Sequence, residues 1–542
     1  MSATGWPSTQ SNVLFEHELG SCVTLSRVRD KTFDKLRETI AMEITVLIFL
    51  TSGLFLGWSL GANDAANVFG TAVASRMIQF TAAAIICTVC LILGAVISGA
   101  GAAHGLGALG KLNALPGAFM AAFSAALTVY WMTKAGLPVS TTQAIVGAII
   151  GWNLFSGSIT DTTALTKIFA TWVACPILGA IFGALIYKAV VLILNRSRIH
   201  LLRLDGYTRL GLIIAGAFGS YSLGANNIGN VMGVFISSHP FSDFSIGDLF
   251  TISAIQQLFL LGAIAIGVGV FTYSKRVMMT VGDGILPLTP VGAWVVVIAH
   301  SIVLFLFSSI ELEHFLVSSG LPTIPLIPVS SSQAVVGAVI GIGLLKGGKG
   351  IKWRVLGNIA SGWITTPIIA SVVCFVMLFI LQNVFNQVVY HEVRYVLSGP
   401  VLEQLEKSGI AVAELEPVRD REIVGGTHFR DAILEIKPKL TGELEEKILD
   451  AAEIYRLRVD PGKIKEIEAG YLSDEQIRGV QALSGLTYDH TWQLYDALSG
   501  SSMEWKKREK NKLNKPFNKH LDEQLKYVYE LLHLENSGAI NQ

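Results

Sequence analysis

The chain of 542 residues is 51% hydrophobic and only 15% charged, with a mean hydropathy of +0.53. A soluble globular protein carries roughly 25% charge, so the deficit excludes an ordinary soluble domain and implies a membrane protein. Basic and acidic residues balance at 41 each, which gives no footing for a nucleic-acid partner.

Residues 1–43 are polar and mixed in charge. They have no apolar core followed by a small-residue cleavage site, so they read as a polar N-terminal extension rather than a cleavable signal. Charge is then sparse from residue 44 to residue 385 and dense from residue 386 onward. That profile predicts a membrane region followed by a soluble one.

Apolar stretches at 44–60, 80–103, 116–132, 142–155 and 168–194 fill a first half, and a basic linker follows at 195–207. Stretches at 208–223, 249–272, 290–309, 333–346 and 356–385 fill a second half. Most approach the roughly 20 residues that cross a bilayer. The two shortest, 142–155 and 333–346, occupy matching positions in the two halves and each follows Pro-Val-Ser. Short segments so placed are the best sequence pointer to a transporter's binding site.

The halves are repeats. Ser59-Leu60-Gly61-Ala62-Asn63-Asp64-Ala65-Ala66-Asn67-Val68 aligns with Ser222-Leu223-Gly224-Ala225-Asn226-Asn227-Ile228-Gly229-Asn230-Val231. Pro138-Val139-Ser140-Thr141-Thr142-Gln143-Ala144 aligns with Pro328-Val329-Ser330-Ser331-Ser332-Gln333-Ala334. An odd number of spans per half turns the second copy upside down. The expected fold is therefore all-α and polytopic: two inverted transmembrane repeats, 44–194 and 208–385, with re-entrant or broken helices, then a soluble helical domain over 386–542. If every stretch crosses once, Lys111 and Lys167 lie on one face and the remaining loop Lys and Arg on the other. The positive-inside rule then places both termini outside.

The first motif suits a cation. A carboxylate inside a membrane costs several kcal/mol unless partnered. Asp64 sits between amides, and Gly61 predicts a break in the helix that frees backbone carbonyls. Carboxylate, amide and carbonyl oxygens are the ligands a small hard cation takes. The plainer reading, helix capping, is weakened because the motif recurs in the second half.

The second motif suits an anion. Proline opens a helix without losing a bond, and the free N–H groups and helix dipole there favour negative charge. Ser140, Thr141, Thr142, Ser330, Ser331 and Ser332 add six hydroxyls. Two such helix starts facing each other from inverted halves would surround one anion with donors and no fixed cation. A single copy would read as ordinary capping; two copies before two short segments do not.

These four motif copies resemble the inorganic phosphate transporter (PiT) family, over roughly residues 44–385. The resemblance implies a multi-pass plasma (inner) membrane symporter that takes up phosphate with sodium or protons by alternating access. It implies no cofactor beyond that ion, and a homodimer in the lipid bilayer. It assigns phosphate to Ser140, Thr141, Thr142, Ser330, Ser331 and Ser332, with Gln143 and Gln333 nearby. It assigns the monovalent cation to Asn63, Asp64, Asn67, Asn226, Asn227 and Asn230, with Asp64, Asn63 and Asn226 as metal ligands if the ion is sodium. The family usually has Asp where this chain has Asn227, which alters the expected coupling. A sulfate permease branch keeps sulfate as an alternative substrate, and an anion channel is the alternative mechanism.

The remaining polar groups carry weaker expectations. Gln256, Gln257 and His300 read as hydrogen-bonding partners between helices. His104 and Asp161 read as interfacial. Cys87 and Cys90 have CxxC spacing but no partner pair, so they read as helix packing. The spans contain no HExxH, nucleophile elbow or clustered acid–base pair, so an enzyme is not expected. Beyond residue 400, Glu443 to Leu457 and Leu521 to Leu534 read as helices, and Ser473-Asp474-Glu475-Gln476 reads as a capping box.

Overall fold

The computed structural model describes residues 44–534 apart from 108, 111, 135–138, 198, 237–240, 242–243, 247–249, 282–287, 349, 438–441, 465–466, 468–471 and 510–513. The N-terminal extension, Pro138 and the side chain of His104 lie outside the described residues.

The first repeat contains α1 (Ile44–Ala74), α2 (Phe80–Ser98), α3 (Ala100–Gly107), α4 (Leu115–Lys134), α5 (Thr141–Ser156) and α6 (Thr162–Arg196). The second contains α7 (Leu201–Met232), α8 (Ala254–Thr272), α9 (Ser274–Val281), α10 (Pro290–Ser308), α12 (Ser331–Leu345) and α13 (Trp353–Asn383) in the same order. It adds α11 (Ile310–Ser318) between its fourth and fifth members, and a short hairpin, β1 (Phe244–Ile246) with β2 (Phe250–Ile252), before α8. Among the described residues, seven helices are long and apolar enough to cross a membrane. The 32-residue α7 has polar first turns, with Arg209 paired to Asp205. The basic linker shrinks to four residues, because α6 ends at Arg196 and α7 starts at Leu201.

The chain is a multi-pass membrane protein, and its long helices turn apolar side chains outward at intervals of about one turn. On α6 these are Val173, Ile177, Ile181 and Leu185, and on α13 Ile364, Ile368 and Val372. Such rows are costly in water and suited to lipid.

The inversion is visible in the contacts of α1 with α7, the same element of each repeat. Gly53 of α1 lies against Met232 near the end of α7, whereas Phe69 lies against Gly216, nearer its start. The two helices therefore run in opposite directions. Each repeat also exchanges partners with the other. Gly147 of α5 sits on the Pro367 carbonyl of α13, and Gly337 of α12 sits on the Pro176 carbonyl of α6.

The expected break at Gly61 is absent: α1 continues through the Asn-Asp motif, as α7 does through its counterpart. These glycines serve close approach. A Cβ at Gly61 would overlap the Ile266 carbonyl of α8, and one at Gly224 the Leu91 carbonyl of α2. The helical breaks lie elsewhere, at Gly99 between α2 and α3, at Tyr273 between α8 and α9, and in the non-helical residues 321–330 that lead to α12. Gln256 differs from expectation: it closes a capping box with Ser253 at the start of its own helix. Gln257 donates to the Ile252 carbonyl. Asp161 caps α6 through the Thr163 and Ala164 N–H groups. Cys87 and Cys90 are free.

The C-terminal region consists mainly of helices, to which it adds very short strands. Its first core surrounds Leu397, Leu415 and Phe429, beside the sheet of β3 (Arg394–Tyr395), β4 (Ile423–Val424) and β5 (Glu453–Ile454). Its second core surrounds Leu457, Trp505 and Val528, with β6 (Leu457–Arg458) paired to β7 (Thr487–Tyr488). The helix expected over Glu443 to Leu457 spans Gly442–Ala452 and gives way to strands, whereas the one expected over Leu521 to Leu534 spans Lys515–Leu532. The capping box at Ser473 forms with Gln476. The region docks on one end of the membrane bundle. Thr427 donates twice to the Gly157 carbonyl, Asn113 exchanges two bonds with His391, and Trp152 donates to the Val389 carbonyl.

Candidate functional site

Ser140 and Ser330 cap α5 and α12, each accepting the N–H of the glutamine three residues on, at 3.3 Å. The helices begin deep inside the bundle, where Ser140, Thr141, Thr142, Gln143, Ser330, Ser331, Ser332 and Gln333 are all buried. The exchange of partners brings these starts together. The Thr142 hydroxyl donates to the Val329 carbonyl of the other repeat at 3.3 Å, and the Ser332 hydroxyl donates to the Val139 carbonyl at 3.4 Å. The two bonds are related by the pseudo-two-fold of the repeats.

The asparagine motifs on α1 and α7 tie this arrangement down. Asn63 donates to the Val139 carbonyl at 3.2 Å. Asn226 grips Val329 from both sides, donating to its carbonyl at 2.8 Å and accepting its N–H at 3.0 Å. One turn further on, Asn67 donates to the Ser331 hydroxyl and Asn230 to the Thr142 hydroxyl, at 2.9 and 2.8 Å. Each crosses to the opposite repeat. The four motifs therefore form one hydrogen-bonded network.

The two repeats differ at the carboxylate. Asp64 accepts from Asn63 at 2.8 Å and has no ion pair with a cationic side chain among the described residues. At the equivalent place, Asn227 accepts from Asn226 at 3.1 Å and Asn230 at 2.9 Å, while its amide nitrogen is buried without a partner. A donor thus replaces an acceptor. No cluster of three His, Cys, Asp or Glu side chains exists among the described residues. A cation here would draw on one carboxylate and neutral oxygens.

Other buried polar atoms at the site are also unpaired: Thr141 Oγ1, Gln143 Oε1, Gln333 Oε1 and Asn230 Oδ1. An unmet buried polar group costs about 1–3 kcal/mol, so this many together call for water or a polar ligand to meet them. The bond between helices expected of His300 on α10 is present. Its Nε2 lies 2.9 Å from the Ser331 hydroxyl, and its Nδ1 is buried without a partner. Aligning Gly117-Ala118 with Gly292-Ala293 places Ala125 opposite His300, so this contact belongs to one repeat alone.

The model of the phosphate transporter family (PHO4) matches residues 60–204, 195–374 and 321–413. The chain belongs to the phosphate transporter family. Relatives titled "Putative phosphate permease" include one from Methanocaldococcus jannaschii, 27% identical over 339 residues, or 62% of this chain and 98% of that relative. One from Pyrococcus furiosus is 26% identical over 403 residues, covering 60% of this chain and 94% of the relative. A solved structure titled "The sodium-dependent phosphate transporter" superposes with a TM-score of 0.50 at 23% identity, covering 62% of this chain and 99% of that one. At that identity the likeness is one of fold. In each case the matched part of this phosphate transporter family member leaves a large share of its length outside the shared region.

Proposed function

We propose that this protein carries inorganic phosphate across a plasma (inner) membrane together with a monovalent cation, by alternating access. One observation carries the reading: two hydroxyl-capped helix starts from inverted repeats, held face to face by Asn67 and Asn230. Helix N-termini and hydroxyls supply hydrogen bonds to an oxyanion without the fixed cation that would hold it too tightly to release. On this reading Ser140, Thr141, Thr142, Ser330, Ser331, Ser332, Gln143 and Gln333 surround phosphate. Asp64, with Asn63, Asn67, Asn226, Asn227 and Asn230 around it, supplies the negative charge that draws in sodium or a proton.

Burial supports alternating access over a channel. Apart from half-buried Asn67, each of these side chains is exposed by 4% or less. An open pore would wet them. The lone carboxylate supports a coupling of fewer cations per anion than a site with two, and a less charged substrate such as monovalent phosphate suits it. The family resemblance adds a homodimer, which mass measurement in nanodiscs tests.

The function is tested by uptake of labelled phosphate and sulfate into proteoliposomes under imposed sodium or proton gradients. Phosphate is expected to accumulate above equilibrium under one of the two gradients. Uptake that never exceeds equilibrium would overturn symport, and a preference for sulfate would reassign the substrate.

A further inference from the structure

The six hydroxyls at the helix starts are not equivalent. Thr142 and Ser332 spend their protons on carbonyls of the opposite repeat, Ser330 gives its proton to Ser332 at 3.1 Å, and Ser140 accepts its own cap bond, which leaves its proton free. Thr141 and Ser331 are the first residue of each helix and symmetry equivalents. Thr141 Oγ1 has no partner. Ser331 Oγ has two, accepting from Asn67 and lying 2.9 Å from His300 Nε2.

A hydroxyl has one proton to give and two lone pairs. If His300 carried its proton on Nδ1, Ser331 would donate to Nε2, and its own proton would be lost to any ligand. That tautomer would also bury an N–H on Nδ1 with nothing to receive it, because Nδ1 has no partner. Buried N–H groups without acceptors are rarer than acceptors left without donors. With the proton on Nε2, His300 donates to Ser331, both lone pairs of Ser331 are used, and its proton is free.

We infer that His300 is a positioning residue: by donating to Ser331, it holds that hydroxyl as a committed donor to the transported oxyanion. The device belongs to the second repeat, since Ala125 stands at the equivalent position of the first. It makes the two helix starts unequal, one hydroxyl preset and the other, Thr141, free to turn. This deepens the proposed function and rests on its assignment of the helix starts to the oxyanion.

The test is phosphate uptake by proteoliposomes containing wild type, His300→Ala, His300→Gln, Ser331→Ala and the His300→Ala/Ser331→Ala double variant. Loss of one oriented donor should raise KM for phosphate about tenfold in His300→Ala, with kcat changed much less. Glutamine, whose amide also donates, should restore most of the affinity. In the Ser331→Ala background, His300→Ala should add nothing further. Equal KM values for wild type and His300→Ala, a glutamine variant no better than alanine, or additive effects in the double variant would each overturn the inference. His300→Gln keeps the test decisive if alanine unfolds the bundle. Wild-type uptake alongside any of these outcomes leaves the transport assignment standing; absence of wild-type uptake removes that assignment and this inference with it.

Discussion

Replacing Asn226 with alanine should damage the protein more than its size implies. The side chain donates to the Val329 carbonyl and accepts the Val329 N–H, at 2.8 and 3.0 Å, just before α12 begins. After Asn226→Ala the carbonyl still has the Thr142 hydroxyl at 3.3 Å. The Val329 N–H loses its acceptor in a residue with no exposure to solvent. A buried orphan costs about 1–3 kcal/mol, and the lost bond to the carbonyl adds about 1 kcal/mol, so roughly 2–4 kcal/mol is expected. Thr142→Val is the control. It removes the weak bond to the same carbonyl and the bond from Asn230 to the hydroxyl, while Asn230 keeps its bond to Asn227, and leaves no buried N–H without an acceptor, so it should cost about 1–2 kcal/mol. The assay is the apparent melting temperature in detergent without phosphate, since a bound substrate would mask the difference by stabilising the folded state. Asn226→Ala is expected to fall further than Thr142→Val. Equal shifts would refute the claim that Asn226 acts by satisfying the backbone ahead of α12.

Three further outcomes follow from the site and its packing. Asp64→Asn should weaken the cation dependence of uptake on the order of a thousandfold, because a carboxylate and a cation 4 Å apart attract by about 4 kcal/mol at an effective dielectric of 20; unchanged dependence on sodium and proton concentration would exclude Asp64 from coupling. Asn227→Asp should increase the number of cations moved per anion, read from reversal potentials in proteoliposomes; an unchanged ratio would show that position 227 does not set the coupling. Gly337→Ala should destabilise by about 1–3 kcal/mol by driving α12 off the Pro176 carbonyl, whereas Gly357→Ala, with open space around it, should be neutral or mildly stabilising in the same thermal assay.

The parts of the protein legible in its sequence are those written as local strings. Two motifs repeated in the same order mark the two halves, and polar residues recurring in apolar surroundings mark the candidate site. The helix through Asn63 and Asp64 was misread because glycine has two uses. Gly61 looks like a breaker along the chain, but its function is to let the Ile266 carbonyl approach, and that neighbour lies some 200 residues away in sequence. The cross-repeat bonds of Asn67 and Asn230 were hidden for the same reason. Residues that seemed to belong with their neighbours in the chain serve the other half of the molecule. His300 is a polar residue in a mainly apolar helix, and its nearness to Ser331 gives it meaning. In the C-terminal region, strands of two residues are too short for any alternation to show.

The exchange of partners between repeats has a consequence for how the protein is made. Helix α5 ends at Ser156, while α13, which receives its glycine face, begins at Trp353. At about 5–20 residues per second, roughly 200 residues of synthesis separate them, or about 10–40 s. During that interval α5, short and polar at its start, waits in the membrane without the surface it was shaped for. The first repeat is therefore not a finished unit on which the second is added. Synthesis of α13 is the event that completes both, and a protein truncated within α13 would lose its first repeat along with its last helix.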